Sequence, residues 1–242
     1  AEINGSKTHR LRVVIVFLFL LTVFLVSVYT FILQRNYSEN TLESAVEWNT
    51  QCADAIHKLV LQKLTGEDYK NISTIADMQS ERYQRLQKEL SELGKLNPTR
   101  YLYTAKMGAD GRPIYLIDGL DLDAKDFAYP GTYIEKEMVP YIEAALAGET
   151  VYSQEIVDTA WGHIFTACYP VREDTGEVIG AICMEMDMEH TYKLLEQSNR
   201  AAVKMAMFAA IVLVLFALGA YCLIQKSRTK SEEQQEQLQK AV

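Results

Sequence analysis

The chain has 242 residues, of which 49% are hydrophobic and 23% charged, with 24 Lys plus Arg against 32 Asp plus Glu and a net charge of −8. Those proportions exclude a disordered solvating segment, and four cysteines in this length exclude a disulfide-dense miniprotein. The acidic surplus argues against nucleic acid or an anionic membrane surface as partner, since both require basic patches.

From Val13 to Leu33 there are 21 residues without a charge, and from Met205 to Ile224 there are 20 more. Roughly 20 helical residues cross the hydrocarbon layer of a bilayer, so each run predicts a transmembrane helix, over 13–33 and 204–224. The first run is longer than the ~7–15-residue core of a signal peptide, and no small-x-small cleavage site follows it. Lys7, Arg10 and Arg12 stand before the first span against Glu2 alone. After the second stand Lys226, Arg228, Lys230 and Lys240 against three Glu, while the stretch from Gln34 to Lys204 carries 17 basic and 28 acidic residues. The positive flanks predict a two-pass protein of the cell membrane with residues 1–12 and 225–242 in the cytoplasm and residues 34–200 outside. Three of the cysteines, Cys52, Cys168 and Cys183, fall in that outer stretch, so at most one bridge forms there. Asn36-Tyr37-Ser38 and Asn71-Ile72-Ser73 match the glycosylation pattern, which matters only in a eukaryotic secretory pathway.

Within the outer stretch, Leu42, Val46, Ala53, Ile56, Val60 and Leu64 recur mostly at three- and four-residue steps and predict a helix over 34–64 that continues the first span. Thr65 to Asp68 reads as a stop. A second amphipathic helix is predicted over 72–93, closed by Gly94 and Pro98. The pattern then changes to period two. Arg100 to Lys106 and Arg112 to Asp118 read as a hairpin around Gly108-Ala109-Asp110-Gly111. A loop with Asp118, Asp121, Asp123 and Asp126 leads to a helix over 133–146 despite Pro140, and Gly148 ends it. Val151 to Val157 reads as a short strand, His163 to Val171 and Val178 to Met188 as a second hairpin, and 189–200 as an exit helix into the second span. An antiparallel sheet of about five strands, with a long N-terminal helix against one face, is the economical way to bury these stripes.

Tyr101-Leu102-Tyr103, Asp110-Gly111, Tyr115-Leu116-Ile117-Asp118, Trp161-Gly162, Ala167 to Val171, Gly176 to Gly180 and Met186-Asp187-Met188 occur in an order that resembles the extracytoplasmic Cache sensor domains, the PAS-like sensors of bacterial receptors. The resemblance covers roughly Gln34 to Glu196. It implies an α+β fold with a single PAS-like sensor module between the two spans, a small-molecule ligand in the outer domain, and a homodimer. The polar stretch after Ile224 looks like the signalling helix that joins a second span to the dimerisation helices of sensor histidine kinases. Such helices also precede diguanylate cyclase domains. The expected role is therefore the sensing half of a two-component histidine kinase, with a diguanylate cyclase or a chemoreceptor as alternatives. A structural membrane protein whose outer domain binds a protein partner is the reading from another class.

The residues show no enzyme site. His57, His163 and His190 have no metal-ligand spacing, and the Asp loop lacks the glycine and terminal Glu of a calcium loop. No cofactor or metal is expected in these residues. A binding face is predicted by alternation. Pairing Arg172 with Glu177 sets Thr166 opposite Cys183 and Cys168 opposite Ala181, which places Ile164, Thr166, Cys168, Cys183, Glu185 and Asp187 on one side. Pairing Met107 with Arg112 adds Tyr101 and Tyr103 together with Leu116 and Asp118. Tyr101, Tyr103, Asp118, Trp161, Thr166, Cys168, Glu185 and Asp187 are the candidate ligand-binding residues, the small and polar side of the sheet being suited to a ligand.

Overall fold

In a computed structural model, residues 2–95 and 99–240 are described. Pro98, expected to close the second outer helix, lies outside them. The chain divides into two compact units, residues 1–39 with 195–242 and residues 40–194.

The first unit consists of parts of two long helices, α1 (Glu2–Val60) and α5 (Glu189–Lys240). Both contain a stretch long and apolar enough to cross a membrane. Phe17, Phe24, Phe208 and Leu215 are each more than 60% exposed, and no interior covers them, so an apolar solvent is the medium that suits such a surface. The Thr22, Ser27 and Thr30 hydroxyls donate to carbonyls four residues back, at 2.8 Å each, so none is left unpaired in that medium. Phe19 stacks on Phe216 with ring centroids 4.0 Å apart.

The second unit is α+β. Beyond α1 come a short α2 (Gly66–Asn71), a 3-10 helix (Ile75–Gln79) and α3 (Glu81–Gly94). Then follow β1 (Thr99–Met107), β2 (Pro113–Asp118), α4 (Val139–Leu146), β3 (Val151–Tyr152), β4 (Val157–Thr159), β5 (Gly162–Arg172) and β6 (Val178–Asp187), before α5. The strands form an antiparallel sheet in the order β2-β1-β6-β5-β3, with β4 also paired to β5.

One face of the sheet packs on the helices. Ala53, Ile56 and Val60 of α1 and Tyr83, Leu86 and Leu90 of α3 share a core with Leu102, Phe165, Ala167, Tyr169, Ile182, Met184 and Met186. Gly180 is required here, because a Cβ at that position would collide with the Tyr69 ring. The opposite face is covered by α4 and by the connector between β2 and α4. Ala128, Ile134, Met138, Ile142 and Ala145 cover Tyr101, Tyr103, Ala105, Tyr115, Ile164, Cys168, Ala181 and Cys183.

Several local expectations are corrected. The helix expected over 72–93 is broken at Ser80, whose hydroxyl accepts from the Tyr83 amide and caps α3. The helix expected to reach Leu64 stops at Val60, and Thr65, within the expected stop, also heads the short α2, with the Asp68 carboxylate accepting from the Thr65 amide at 2.6 Å. The helix expected over 133–146 starts only at Val139. Tyr133 bridges Ile114 as an added strand residue, and Pro140, which lacks an amide hydrogen, sits in the first turn where none is needed.

In the β5/β6 hairpin the register differs by two residues from the expected one. Thr166 faces Glu185 and Cys168 faces Cys183, with a bulge at Val171/Arg172. A shift of two preserves which side chains share a face. The β1/β2 hairpin is different. A bulge at Thr104/Ala105 sets Tyr103 opposite Asp118 and Ala105 opposite Tyr115, and the Ile117 amide donates to the Thr104 hydroxyl at 3.1 Å. Leu116, expected beside Asp118, therefore joins the helix-side core, and Tyr115 takes the other face.

Candidate functional site

The connector-covered face of the sheet is sealed at one end and open at the other. Over β3, β5 and the far end of β6, Ile142 and Ala145 of α4 close it. At the other end lies a small open cleft, with an interior volume of about 40 Å³ that widens to about 480 Å³ when the solvent-filled mouth is included. β1 supplies Tyr101 and Tyr103, β2 supplies Tyr115 and Asp118, and β6 supplies Glu185. The connector adds Asp126, Ala128, Glu135, Glu137 and Met138, and the turn between β4 and β5 adds Thr159, Ala160 and Trp161.

Five of the eight residues expected from the sequence thus meet in one place: Tyr101, Tyr103, Asp118, Trp161 and Glu185. Thr166, Cys168 and Asp187 do not line the cleft. Thr166 and Cys168 are fully buried; the Thr166 amide donates to Ser153 Oγ at 3.0 Å, and Cys168 lies in the core that α4 covers. Asp187 is half exposed; it accepts from the Glu189 amide at 2.8 Å and lies 3.8 Å from Arg100, so it shapes the start of α5. Tyr115, Asp126, Ala128, Glu135, Glu137, Met138, Thr159 and Ala160 complete the lining without having been anticipated. Only the bulge puts Tyr115 there, and alternation cannot reveal a bulge. The connector residues arrive by a long irregular path with no period to read.

Each wall residue is held by a definite partner. Asp118 Oδ1 accepts from the Leu120 amide at 3.0 Å and Oδ2 from the Ala128 amide at 2.7 Å, folding the connector back over the sheet. Tyr101 donates to Asp126 at 2.6 Å, Tyr115 donates to Glu135, and Tyr103 donates to Glu185 Oε1 at 2.9 Å. The Tyr103 and Tyr115 rings lie 4.8 Å apart in a tilted arrangement. Trp161 remains 42% exposed at the rim. The turn that carries it depends on Gly162, whose φ of +122° an L side chain rarely adopts.

The lining is acidic, and the opposing charge beside it is Arg100, which lies over the Tyr101 ring at 5.5 Å and acts on Glu185 against its burial. Burial pushes the Glu185 carboxyl up to about 7, against the opposing Tyr103 hydrogen bond and with help from the Glu135 and Asp118 charges. Burial likewise pushes Asp118 up to about 6, although its two backbone donors act the other way. Burial, then the hydrogen bond to Asp126, pushes the Tyr101 hydroxyl up to about 12. Among the described residues no Lys, Arg or His belongs to the lining itself. Among the described residues no group of three or more His, Cys, Asp or Glu has the arrangement of a metal site.

The turn that closes the cleft also leads directly into the contact with α5. One residue after Gly162, the His163 carbonyl accepts from the Met188 amide at 2.9 Å. The His163 ring stacks on Tyr192 at 3.5 Å, and Nδ1 lies 2.8 Å from Glu189 Oε2.

No family model and no curated protein matches the sequence. Solved structures that resemble it are sensor domains of chemoreceptors and histidine kinases. The sensory domain of the Campylobacter jejuni chemoreceptor Tlp3, with isoleucine bound, is 14% identical with a TM-score of 0.42, covering 67% of this chain and 60% of that one. The sensor domain of the V. cholerae histidine kinase DctB is 14% identical with a TM-score of 0.38, over 64% and 59%. The ligand-binding domain of the Pseudomonas aeruginosa PAO1 amino acid chemoreceptor PctC, in complex with GABA, is 16% identical with a TM-score of 0.37, over 62% and 57%. The chain thus spans about 60% of the length of the Tlp3 domain. At these scores the likenesses assign no role to any residue.

Proposed function

We propose that the chain is the ligand-sensing input region of a bacterial transmembrane receptor, a single Cache-type module between two membrane spans. Residues 34–200 lie outside the cell in this reading, and both termini lie in the cytoplasm. The observation that carries it is the continuity between cleft and helix. The Thr159–Trp161 turn forms one wall of the cleft, and His163, two residues on, holds the first turn of α5 through Glu189 and Tyr192. A ligand that bears on Trp161 acts on the same hairpin that positions α5, and α5 runs on as one helix through the second apolar stretch. Such a ligand biases the receptor only through a difference in its affinity for two arrangements of that helix. The output partner in this reading is a histidine kinase, and the receptor works as a homodimer. The polar part of α5 beyond Ile224 is the segment that would carry the bias onward.

Thermal unfolding of the 242-residue chain in dodecyl maltoside, screened against amino acids, carboxylates, amines and sugars, tests the reading. A ligand at about 100 times its Kd adds about 2.7 kcal/mol to the folded state. A shift that is lost in Trp161→Ala supports it. A library without any shift sinks it and favours a docked protein as the signal.

A further inference from the structure

We infer that the cleft takes a small organic ammonium ion that carries no carboxylate of its own. This inference rests on the ligand-sensing reading above and names the ligand class for the same site.

Three observations carry it. First, the acidic groups are paired in a way that leaves accepting capacity turned into the cavity. Glu185 is only 4% exposed. Its Oε1 accepts from Tyr103, and among the described residues Oε2 has no hydrogen-bond partner. Glu185 lines the cleft, so this open oxygen can accept from a donor placed there. An ammonium group supplies that donor together with the compensating charge.

Second, the walls have the composition that holds organic cations. Tyr101, Tyr103, Tyr115 and Trp161 line the same space as the carboxylates. Aromatic faces attract ammonium ions through the ring quadrupole, best of all on tryptophan. Trp161, exposed at the rim, offers such a face beside the mouth.

Third, the cleft offers little to an anion. Its described lining holds no basic residue, Arg100 beside it lies over the Tyr101 ring and is paired with Asp187 at 3.8 Å, and the two backbone amides at Asp118 are already taken by that side chain. A dicarboxylate, or the carboxylate of an α-amino acid, would enter among Asp118, Asp126, Glu135, Glu137 and Glu185 with only Arg100, already paired with Asp187, to meet it. Like charges at such separations repel strongly in a partly desolvated site. A bare divalent ion would leave the aromatic walls without a role, and the carboxylates are not arranged as a metal cluster among the described residues.

The acidity of the site supplies an additional readout. Asp118, Glu135, Tyr103, Tyr115, Cys183 and Arg100 are the charged and titratable groups that interact with Glu185. A cation binds the ionised carboxylates, so its affinity rises as pH increases from about 6 to 8.

The test is calorimetry and thermal unfolding of the full chain in dodecyl maltoside with putrescine, ethanolamine, alanine, succinate and calcium chloride. Putrescine or ethanolamine is expected to stabilise the chain and to bind several-fold more tightly at pH 8 than at pH 6. Glu185→Gln and Trp161→Ala are each expected to weaken that binding at least tenfold. Glu137→Gln, at an exposed rim position, keeps the unfolding midpoint and weakens binding by a smaller factor, which separates loss of charge from loss of fold. Alanine or succinate binding as well as the ammonium compounds overturns the inference but leaves the sensing reading intact. So does a calcium effect removed by the same substitutions. No response to either ammonium compound also overturns it, and the wider library then decides whether the cleft senses anything.

Discussion

Tyr103 and Glu185 stand on neighbouring strands, and the phenol donates to the carboxylate at 2.9 Å in a site where both side chains are almost wholly buried. This hydrogen bond makes a buried acid tolerable without supplying a counter-charge. Burial still raises the Glu185 carboxyl from its ordinary 4.5 to about 7. The folded state therefore holds this proton more tightly than the unfolded chain does. The stability associated with it is full below pH 4.5 and is lost as pH rises through 7. At roughly 1.4 kcal/mol per tenfold difference in proton affinity, the loss is on the order of 3 kcal/mol. Glu185→Gln, which can still accept from Tyr103, is expected to be more stable than the wild type at pH 8 and no more stable at pH 4.5. Urea unfolding at the two pH values checks this, and an equal difference at both would reject it.

Asp54 of α1 accepts from the hydroxyls of both Tyr152 and Tyr169, each at 2.7 Å, and so ties β3 and β5 to the long helix. His57 stacks on the Tyr169 ring at 4.0 Å, one turn further along. Asp54→Ala leaves the buried Tyr169 hydroxyl without its acceptor and is expected to cost about 1–3 kcal/mol. Tyr152→Phe, which removes a single donor and leaves no buried group unpaired, should cost less than half as much. Comparison of the two unfolding midpoints is the check.

His163 is a positioning residue for α5, placed between the cleft turn and Glu189. His163→Ala removes the ring stack on Tyr192 and the contact to Glu189. It is expected to raise hydrogen exchange of the amides of residues 189–194 about tenfold, equivalent to ~1.4 kcal/mol of local stability. Ligand affinity should change far less than the exchange rate does. Unaltered exchange at these amides would remove His163 from the relay.

Cys168 and Cys183 are direct partners across β5 and β6, and both are free thiols. Burial, followed by the Cys168 contact, pushes the Cys183 thiol well above its ordinary value, so little of it is thiolate. Neither should react with iodoacetamide until the domain unfolds, and reductant should leave the unfolding midpoint unchanged. Mass spectrometry of the alkylated native chain checks both statements.

The sequence by itself determined what depends on composition and period. Two charge-free runs longer than 19 residues leave no soluble interior that could hold them. The alternation in His163–Met188 survived a register error of two because side chains repeat every second residue, so the face carrying Glu185 was legible without the correct pairing. The helix-side core was legible for the same reason, since Phe165, Ala167, Tyr169, Ile182, Met184 and Met186 already shared a side. What only the tertiary structure decided is where that face stays open. α4 lies over Cys168, and Thr166 is buried against Ser153, so neither reaches the cavity, although nothing in their own spacing distinguishes them from Glu185. A bulge at Thr104/Ala105 sends Leu116 inward and Tyr115 into the cleft, because one extra residue inverts the alternation beyond it. Asp126, Glu135 and Glu137 converge on the same space through an irregular connector anchored by Asp118. Its path is set by two backbone hydrogen bonds made at a distance of two and ten residues, and no local pattern encodes them.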